Sequence, residues 1–345
     1  MLFNSLVFPV FFVLFLCLYW PLRRHLRLQN LLTLVGSYVF YGWWDTRFLA
    51  LIVVSTAIDY GAGRVIEVGR LSGRERLLLT IFVLGTCIGV LLPWGALLDG
   101  QGLSSEAVSP LAVIGAGVLV YHAIYGVITR LSEDRRRRWA LTVSVVSNLG
   151  LLAVFKYLDF FIGSFADLWH GLTGAQADVR LLHIILPVGI SFYTFQTMSY
   201  TIDVYRRKIP STDDGVAFAA YVAFFPQLVA GPIERASHLL GQFSVEKKIP
   251  TMDDIGSAMW LIAWGFYKKL VIADNLAKSV NGVFGPYDQA GIAMDGRSDG
   301  LTMLFAVYAF AFQIYCDFSG YTDIARGTAR LLGFDIMRNF NLPYF

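Results

Sequence analysis

Long apolar stretches recur along the whole of this 345-residue chain and constrain its fold more than any other feature. Several approach the roughly 20 apolar residues that a helix needs to cross a bilayer. In lipid, only helices and closed barrels satisfy their own backbone hydrogen bonds, and the alternation of barrel strands is absent. The pattern therefore predicts an all-α, polytopic membrane bundle of about ten transmembrane or re-entrant helices. The stretches are 2–20, 28–44, 48–58, 77–98, 107–129, 139–155, 181–202, 216–233, 255–267 and 301–316.

The composition agrees with a membrane protein and excludes an ordinary soluble domain. Hydrophobic residues make up 56% of the chain and charged residues only 15%, whereas soluble proteins carry about a quarter charged residues. The net charge of +3 is small, and nothing in its distribution indicates nucleic acid. The stretches 48–58 and 255–267 are short, so we expect them to tilt, re-enter or lie at the membrane interface.

Arginine-rich segments alternate with segments that carry few basic residues. The arginine-rich segments are 23–27, 59–76, 130–138 and 206–208, and the others are 45–47, 99–106 and 156–180. Cytoplasmic loops of membrane proteins are enriched in lysine and arginine. Through seven crossings, the alternation predicts an extracytoplasmic N-terminus and cytoplasmic arginine-rich loops.

The stretch 216–233 breaks this alternation, because basic residues follow it on the side predicted to be extracytoplasmic. It also contains Pro226 and the pair Gly231–Pro232. Proline removes a backbone donor, and glycine loosens the helix. The stretch therefore favours a re-entrant pair of half-helices that lines a cavity, and the alternative is a kinked span.

Two carboxylates, Asp317 and Asp323, follow the uncharged stretch 301–316 without a break. They are predicted to lie at or inside a membrane boundary, with Ser319 and Tyr321 between them. Ionisable groups at that depth usually face a protein-lined cavity and handle substrate, ions or protons. The alternative is a helix-end cap within a structural hydrogen-bond network.

The stretch 181–202 and its continuation are unusually polar for a lipid-facing helix. Gln196, Ser199 and Asp203 have i, i+3, i+7 spacing and share one helix face. Such a stripe either joins neighbouring helices or lines a pathway, and the sequence leaves both open. His122, in the stretch 107–129, is interpreted as a packing residue rather than a base. The sequence shows no metal-ligand cluster, nucleophile elbow or phosphate-binding loop.

Six short motifs occur in order along the chain. They are SYVFYGWW (37–44), LPVGISFY (186–193), SYTIDVYR (199–206), FFPQLVAGPI (224–233), DFSGYTD (317–323) and NFNLPY (339–344). In this order they resemble the membrane-bound O-acyltransferase family, in particular its bacterial branch that serves alginate O-acetylation. The resemblance covers essentially the whole chain, and each motif alone is only modestly specific.

The family's expected catalytic histidine has no match in this sequence. In the family it follows the Asn-Pro-Tyr motif, and the sequence ends at Phe345 before that position. Trp169-His170-Gly171 precedes the seventh stretch and does not correspond to the family's later Trp-His-Gly. We therefore expect residues 1–345 to form the N-terminal part of a single membrane domain. We also expect that this chain alone transfers no acyl group, and no catalytic residue is assigned in it.

The resemblance implies a helical bundle around a tunnel in a bacterial cytoplasmic (inner) membrane. The acyl donor, acyl-CoA or acyl carrier protein, arrives on the cytoplasmic face as a substrate, and no bound cofactor is implied. The acceptor is an extracytoplasmic polysaccharide such as alginate, reached through a periplasmic acyltransferase partner. The residues that we expect to line the tunnel are Gln196, Asp203, Gln227, Asp317, Ser319, Tyr321, Asp323, Asn339 and Asn341.

Two other functional classes fit the same polar pathway. Buried acids and a broken helix also suit a transporter or channel subunit that moves a small molecule. A third interpretation is a non-catalytic scaffold that docks a periplasmic acyltransferase.

Overall fold

The computed structural model describes residues 1, 3–99, 105–174, 185–229, 231–290 and 299–340. Within these residues the regular secondary structure is helical, with no β-strand. The α-helices are α1 (Val7–Tyr19), α2 (Leu26–Gly42), α3 (Leu49–Glu67), α4 (Gly73–Leu91), α5 (Trp94–Leu98), α6 (Ser105–Ile128), α7 (Glu133–Thr173), α8 (Ile190–Tyr205), α9 (Gly215–Val222), α10 (Phe225–Leu228), α11 (Ala236–Leu239), α12 (Met252–Phe266), α13 (Asp274–Ala290) and α14 (Gly300–Leu331).

The all-α membrane fold is confirmed. Among the described residues, 5 helical segments are long and apolar enough to cross a bilayer, which makes the chain a multi-pass membrane protein. The predicted number of about ten is not confirmed, since several of the other helices are shorter or more polar. The five segments are Val7–Arg24, Thr46–Glu67, Val108–Ile128, Glu133–Thr173 and Gly300–Leu331.

The prediction that the stretch 48–58 is short is wrong. A 3-10 turn at Thr46–Phe48 leads into α3, and the helix continues through Asp59 to Glu67. Part of the predicted loop 59–76 is therefore helix. The glycines beyond Asp59 let neighbouring tyrosines pack closely against this helix: a Cβ on Gly63 would lie 2.5 Å from the ring of Tyr200.

α7 is much longer than the stretch 139–155 indicates. It begins at Glu133, inside the arginine-rich segment, and runs for 41 residues to Thr173. Gly174 ends it in the left-handed region at φ 69°. At 1.5 Å per residue the helix is about 62 Å long, about twice the hydrocarbon thickness of a bilayer. The segment 156–173 was predicted as a loop, but it contains no proline and continues the helix.

The last two apolar stretches also continue as helix. α12 passes through a π-helical segment, Tyr267–Ala273, directly into α13, so the stretch 255–267 is not an isolated short element. α14 extends to Leu331, which places Asp317 and Asp323 inside the helix and not at its end. A cap at a helix end is therefore excluded for both carboxylates. The lysines of the π-helical segment pair with them, which makes their helical position possible.

The stretch 216–233 is broken, as its sequence predicts. α9 ends at Val222 and the short α10 begins at Phe225, so that Pro226 lies in the first turn, where its missing donor costs no helical hydrogen bond. The Ser37 hydroxyl accepts a hydrogen bond from the Phe225 backbone N–H at 3.1 Å. That the segment re-enters on the side where it began stays a prediction.

The chain divides into two compact units. The central unit comprises Leu26–Leu228 and Arg235–Ser244, and the terminal unit comprises Met1–His25, Val229–Glu234 and Val245–Phe345. The prediction of one domain over residues 1–345 stays a prediction.

Each unit has its own packing principle. In the central unit α3 lies in the middle, against α4, α7, α8 and α9, and side chains such as Ile52 and Phe218 are fully buried. In the terminal unit α12 packs against α14 at backbone distance. A Cβ on Gly265 would lie 2.5 Å from the Gly320 carbonyl oxygen, and one on Gly327 would lie 2.6 Å from the Ala258 carbonyl oxygen. Small residues thus allow close helix contact in this unit.

Candidate functional site

A buried lysine organises the predicted residues of α14 in the terminal unit. The Lys268 ammonium donates a hydrogen bond to the Ser319 hydroxyl at 3.2 Å and a second one to the Asp323 carboxylate. Lys268 is 9% exposed and Ser319 is 2% exposed, so this ion pair is largely shielded from solvent. The structure therefore brings Ser319 and Asp323, two of the predicted tunnel residues, together around a cation that the prediction missed.

Lys269 forms a second, more exposed ion-pair group beside the first. Its ammonium lies 2.9 Å from the Asp317 carboxylate and 2.9 Å from the Asp274 carboxylate. The side chain of Asp317 is 51% exposed. Asp317 and Asp323 thus pair with adjacent lysines, one partly exposed and one enclosed.

The π-helical segment explains how two adjacent lysines both reach α14. Within Tyr267–Ala273 the backbone forms the wider π-helical turn, which usually appears as a short insertion near functional sites. Gly265 and Gly320 let the two backbones approach directly before this segment. The lysine stems therefore need to cross only a short gap to meet Asp317 and Asp323.

The remaining predicted residues of the terminal unit have different surroundings. The half-buried Tyr321 packs its ring against Phe3, with the ring centroids 4.6 Å apart. Asn339 is exposed, and Asn341 lies outside the described residues. No contact of Asn339 with the lysine group is seen among the described residues.

In the central unit, Gln196 and Gln227 meet at one backbone carbonyl. The Gln196 side-chain amide donates to the Tyr221 carbonyl at 2.8 Å, and the Gln227 amide lies 3.4 Å from the same oxygen. The Tyr221 hydroxyl donates back to the Gln196 carbonyl at 3.2 Å. The Gln227 side-chain oxygen is buried and has no hydrogen-bond partner among the described residues. Buried polar atoms are rarely left unpaired, so this oxygen is a candidate contact for a ligand.

Asp203 lies two turns along α8 from Gln196, in keeping with the predicted shared face. Its carboxylate is 4.0 Å from the Lys208 ammonium, and the residue is 8% exposed. Ser199, between them, donates its hydroxyl to the Gln196 carbonyl at 2.8 Å, within its own helix. In this polar stripe the Ser199 hydroxyl therefore bonds within its own helix, whereas Gln196 and Asp203 contact other segments.

A buried carboxylate that sequence reasoning missed lies at the centre of the same unit. Asp59, which is fully buried, accepts hydrogen bonds from the Ser144 hydroxyl at 2.5 Å and from the Asn148 amide at 2.8 Å. The Ser55 hydroxyl donates to the side-chain amide oxygen of Asn148 at 2.7 Å. We call Ser55, Asp59, Ser144, Asn148, Thr197 and Thr201 the Asp59 network.

The Asp59 network had a sequence signal. Each of three helices contributes two polar side chains at i, i+4 spacing, which places both on one face. The pairs are Ser55 and Asp59 on α3, Ser144 and Asn148 on α7, and Thr197 and Thr201 on α8. Thr201 Oγ lies 2.9 Å from Ser144 Oγ, which links α8 to the other two helices. The network fixes these helices relative to one another and leaves little unfilled hydrogen-bonding capacity.

Arginines bring several helix ends of the central unit together. Arg137 is buried and donates to the carbonyl of Ile66 at 3.0 Å and to that of Tyr205 at 2.7 Å. These oxygens belong to the last turns of α3 and α8, where cations complement the helix dipole. Three arginine-rich segments that the sequence places in the cytoplasm thus meet at one end of this unit, which we call the arginine-rich end.

A hairpin contact joins α4 to the same end. The Arg64 guanidinium donates to the Glu75 carboxylate at 3.0 Å, and Glu75 forms a capping box with Ser72 at the start of α4. Partial burial raises the pKa of Glu75, but the hydrogen bonds with Ser72 and the pairing with Arg64 together outweigh burial, so the pKa is lowered.

His122 has the neighbours of a packing residue. Its Nε2 lies 3.0 Å from the Thr80 hydroxyl, which joins α6 to α4. Its ring also packs edge-on against Tyr121. The interpretation of His122 as a packing residue is consistent with these contacts.

The comparisons with known proteins agree with the motifs. No family model matches the sequence. The probable alginate O-acetylase AlgI of Pseudomonas aeruginosa is 35% identical over all 345 residues, and the matched part is 52% of that protein. The AlgI protein of Azotobacter vinelandii is 34% identical over 345 residues, with 54% of its length matched. The chain belongs to the membrane-bound O-acyltransferase family.

A more distant relative is named for a different polymer. The peptidoglycan O-acetyltransferase of Helicobacter pylori is 30% identical over 257 residues, which cover 67% of this chain and 46% of that protein. The chain spans about half the length of the curated relatives it matches.

Proposed function

We propose that this protein is part of a membrane-bound acyltransferase that passes acetyl groups to an exported polysaccharide. The observation that carries the proposal is the alignment of the whole chain with the alginate O-acetylases, at 35% identity to the Pseudomonas aeruginosa protein. The polar groups inside otherwise apolar helices support it, because each of them is expensive in a membrane and needs a reason to be there.

The group around Lys268 is the part of the chain best suited to acyl transfer. Attack on an acyl carbonyl generates negative charge on its oxygen, and preorganised donors in a water-poor site stabilise that charge strongly. The Lys268 ammonium and the Ser319 hydroxyl are such donors, and Asp323 fixes the ammonium in place. Acyl transfer also needs a base for the proton of the acceptor hydroxyl, and the family resemblance implies a histidine that we assign to no residue here.

The glutamine pair of the central unit is proposed to contact a bound substrate. The unpaired Gln227 oxygen can accept a hydrogen bond from a hydroxyl or an amide of a bound molecule. Gln196, Asp203, Asp317, Tyr321, Asn339 and Asn341 stay in the proposal as path-lining residues.

The donor is proposed to be acyl-CoA or an acyl carrier protein on the cytoplasmic side. Both donors are acidic, and the arginine-rich end of the central unit offers the complementary charge. The acceptor is proposed to be a polysaccharide such as alginate outside a bacterial inner membrane, reached with a periplasmic acyltransferase partner.

The test is complementation of a strain from which the gene has been deleted. The complete gene should restore the acetyl content of the exported polysaccharide, whereas its Lys268→Met variant should not. Lys268→Arg keeps the charge and tests the need for a compact ammonium. Lys278→Met removes an exposed lysine from α13 and should behave like the wild type.

The same experiment separates the alternatives. A transporter would change the amount of exported polymer and not its acetyl content per sugar. A scaffold would tolerate Lys268→Met as long as the protein remains in the membrane at normal levels. Deletion of the gene without any loss of acetylation would contradict the proposal.

A further inference from the structure

A shallow apolar crevice opens between α3, α6 and α7 in the central unit, with a cavity volume of about 30 Å³. Small residues create it. A Cβ on Gly61 would lie 2.1 Å from the Tyr121 hydroxyl oxygen, so Tyr121 can lie there only against a glycine. Ala62 on α3 and Ala140 on α7 leave the neighbouring space unfilled, and the ring of Tyr125 forms another wall.

The crevice lies near the arginine-rich end. On α3 it runs from Ile58 to Val65, which is about 10 Å of helix. The Tyr125 hydroxyl accepts a hydrogen bond from the Leu71 backbone N–H at 2.9 Å, so mainly the ring of Tyr125 lines the crevice. The crevice therefore offers an apolar surface that begins near the predicted membrane interface and continues towards the bilayer interior.

Two arginines contact residues that line the crevice, and a third follows one of its helices in the sequence. The Arg76 guanidinium carbon lies 5.6 Å from the centroid of the Tyr125 ring. Arg136 donates to the Val65 carbonyl at 3.3 Å. Arg130 is exposed and follows Ile128, the last crevice residue of α6.

The acidic groups nearby do not cancel this charge. Glu75 is paired with Arg64 at 3.0 Å, and Glu133 lies 3.8 Å from Arg207. Asp134 is exposed in the first turn of α7. The mouth of the crevice therefore keeps a net positive charge.

We infer that this crevice binds one anionic phospholipid of the surrounding membrane. Part of an acyl chain lies in the open crevice against α3, α6 and α7, and the phosphate is held by Arg76, Arg130 and Arg136. A phospholipid has the required shape, with its phosphate at the interface and its chains pointing inward. Basic pockets between membrane helices on the cytoplasmic side suit anionic headgroups. The inference does not depend on acyl transfer.

The test compares lipid headgroups on the full-length protein. The protein is reconstituted with equal amounts of phosphatidylglycerol and phosphatidylcholine, extracted again in mild detergent, and its retained lipid is identified by native mass spectrometry. We expect retention of phosphatidylglycerol over phosphatidylcholine. The double variant Arg76→Gln/Arg130→Gln should weaken retention about fivefold for each arginine. Arg24→Gln/Arg27→Gln removes two exposed arginines elsewhere and should retain lipid like the wild type.

A second variant tests the apolar part separately. Val143 lines the crevice and is half-buried, so Val143→Trp should fill the space and release the lipid without changing any charge. Equal retention of both lipids by the wild type, or unchanged retention in Arg76→Gln/Arg130→Gln, would overturn the inference. If Val143→Trp fails to fold, these two comparisons still test whether the crevice binds an anionic phospholipid.

Discussion

At the scale of single residues, Asp59 shows what a buried carboxylate can contribute in a membrane helix. It is fully buried, and donors from two positions on α7 hold it. Removing one member of a buried hydrogen-bonded group leaves its partners unpaired, which costs more than the bond itself contributed. The network is therefore expected to matter mainly for the fixed arrangement of α3, α7 and α8.

Asp59→Ala should lower the thermal stability of the detergent-solubilised protein. The Ser144 hydroxyl and the Asn148 amide lose their acceptor, at a cost of about 1–3 kcal/mol each. Asp167→Ala removes an exposed carboxylate from α7 and should change stability by less than about 0.5 kcal/mol. Thermal unfolding of the two variants side by side is the measurement, and equal midpoints would show that the network carries no stability.

Ser37 is a second residue with one definable task. Its hydroxyl accepts from the Phe225 N–H where the chain restarts a helix after the break. Ser37→Ala leaves that buried N–H unpaired and should cost about 1–3 kcal/mol. Thermal unfolding of the detergent-solubilised variant measures the loss, and a Ser37→Thr variant, which keeps the hydroxyl, should recover most of it.

At the scale of elements, α12 and α14 pack closely because glycines at their contact have no side chain. Gly320→Ala would place a Cβ 2.8 Å from the Gly265 carbonyl oxygen, and backbone cannot easily move away. We expect a loss of about 1–3 kcal/mol from this overpacking. Gly256→Ala, on α12 with no atom near its added Cβ, should instead gain up to about 1 kcal/mol of helix propensity. We expect the unfolding midpoint to fall in Gly320→Ala and to rise in Gly256→Ala. A shift of both midpoints in the same direction would contradict this packing.

The broken element 216–233 gives a topological prediction. If it re-enters, reporter fusions placed near Pro232 and near Lys247 should both indicate the cytoplasm. An extracytoplasmic signal near Lys247 would show a simple span and would remove support for a cavity role of Gln227.

Hydrophobic pattern predicted the class of fold and the break near Pro226, but it misjudged where helices end. A carboxylate such as Asp59 or Asp323 reads as a loop or boundary residue, because its cost in lipid is visible in sequence. The partners that offset this cost, such as Ser144 and Lys268, come from distant segments, so they are not visible in the sequence. For the same reason the sequence analysis named Ser319 and Asp323 among the expected tunnel residues and missed the lysine that joins them.

At the scale of the whole molecule, orientation is the property on which the donor side depends. Arg138 is exposed near the start of α7, and Ser104 belongs to a segment predicted to be extracytoplasmic. In intact cells, Ser104→Cys should react with an impermeant thiol reagent, and Arg138→Cys should react only after permeabilisation. The reverse pattern would invert the predicted topology and move the proposed donor to the other face.

Acetyl transfer across the membrane is the central claim, and inverted membrane vesicles measure it most directly. Radiolabelled acetyl-CoA or acetylated carrier protein is supplied outside vesicles that contain the complete protein, its partner and polysaccharide in the lumen. We expect label in the luminal polysaccharide and about 10²-fold less of it with Lys268→Met, the loss typical of one removed oxyanion donor. Lys278→Met should label as the wild type does. Equal labelling by Lys268→Met and wild type, or label only when the donor is inside, would contradict this claim.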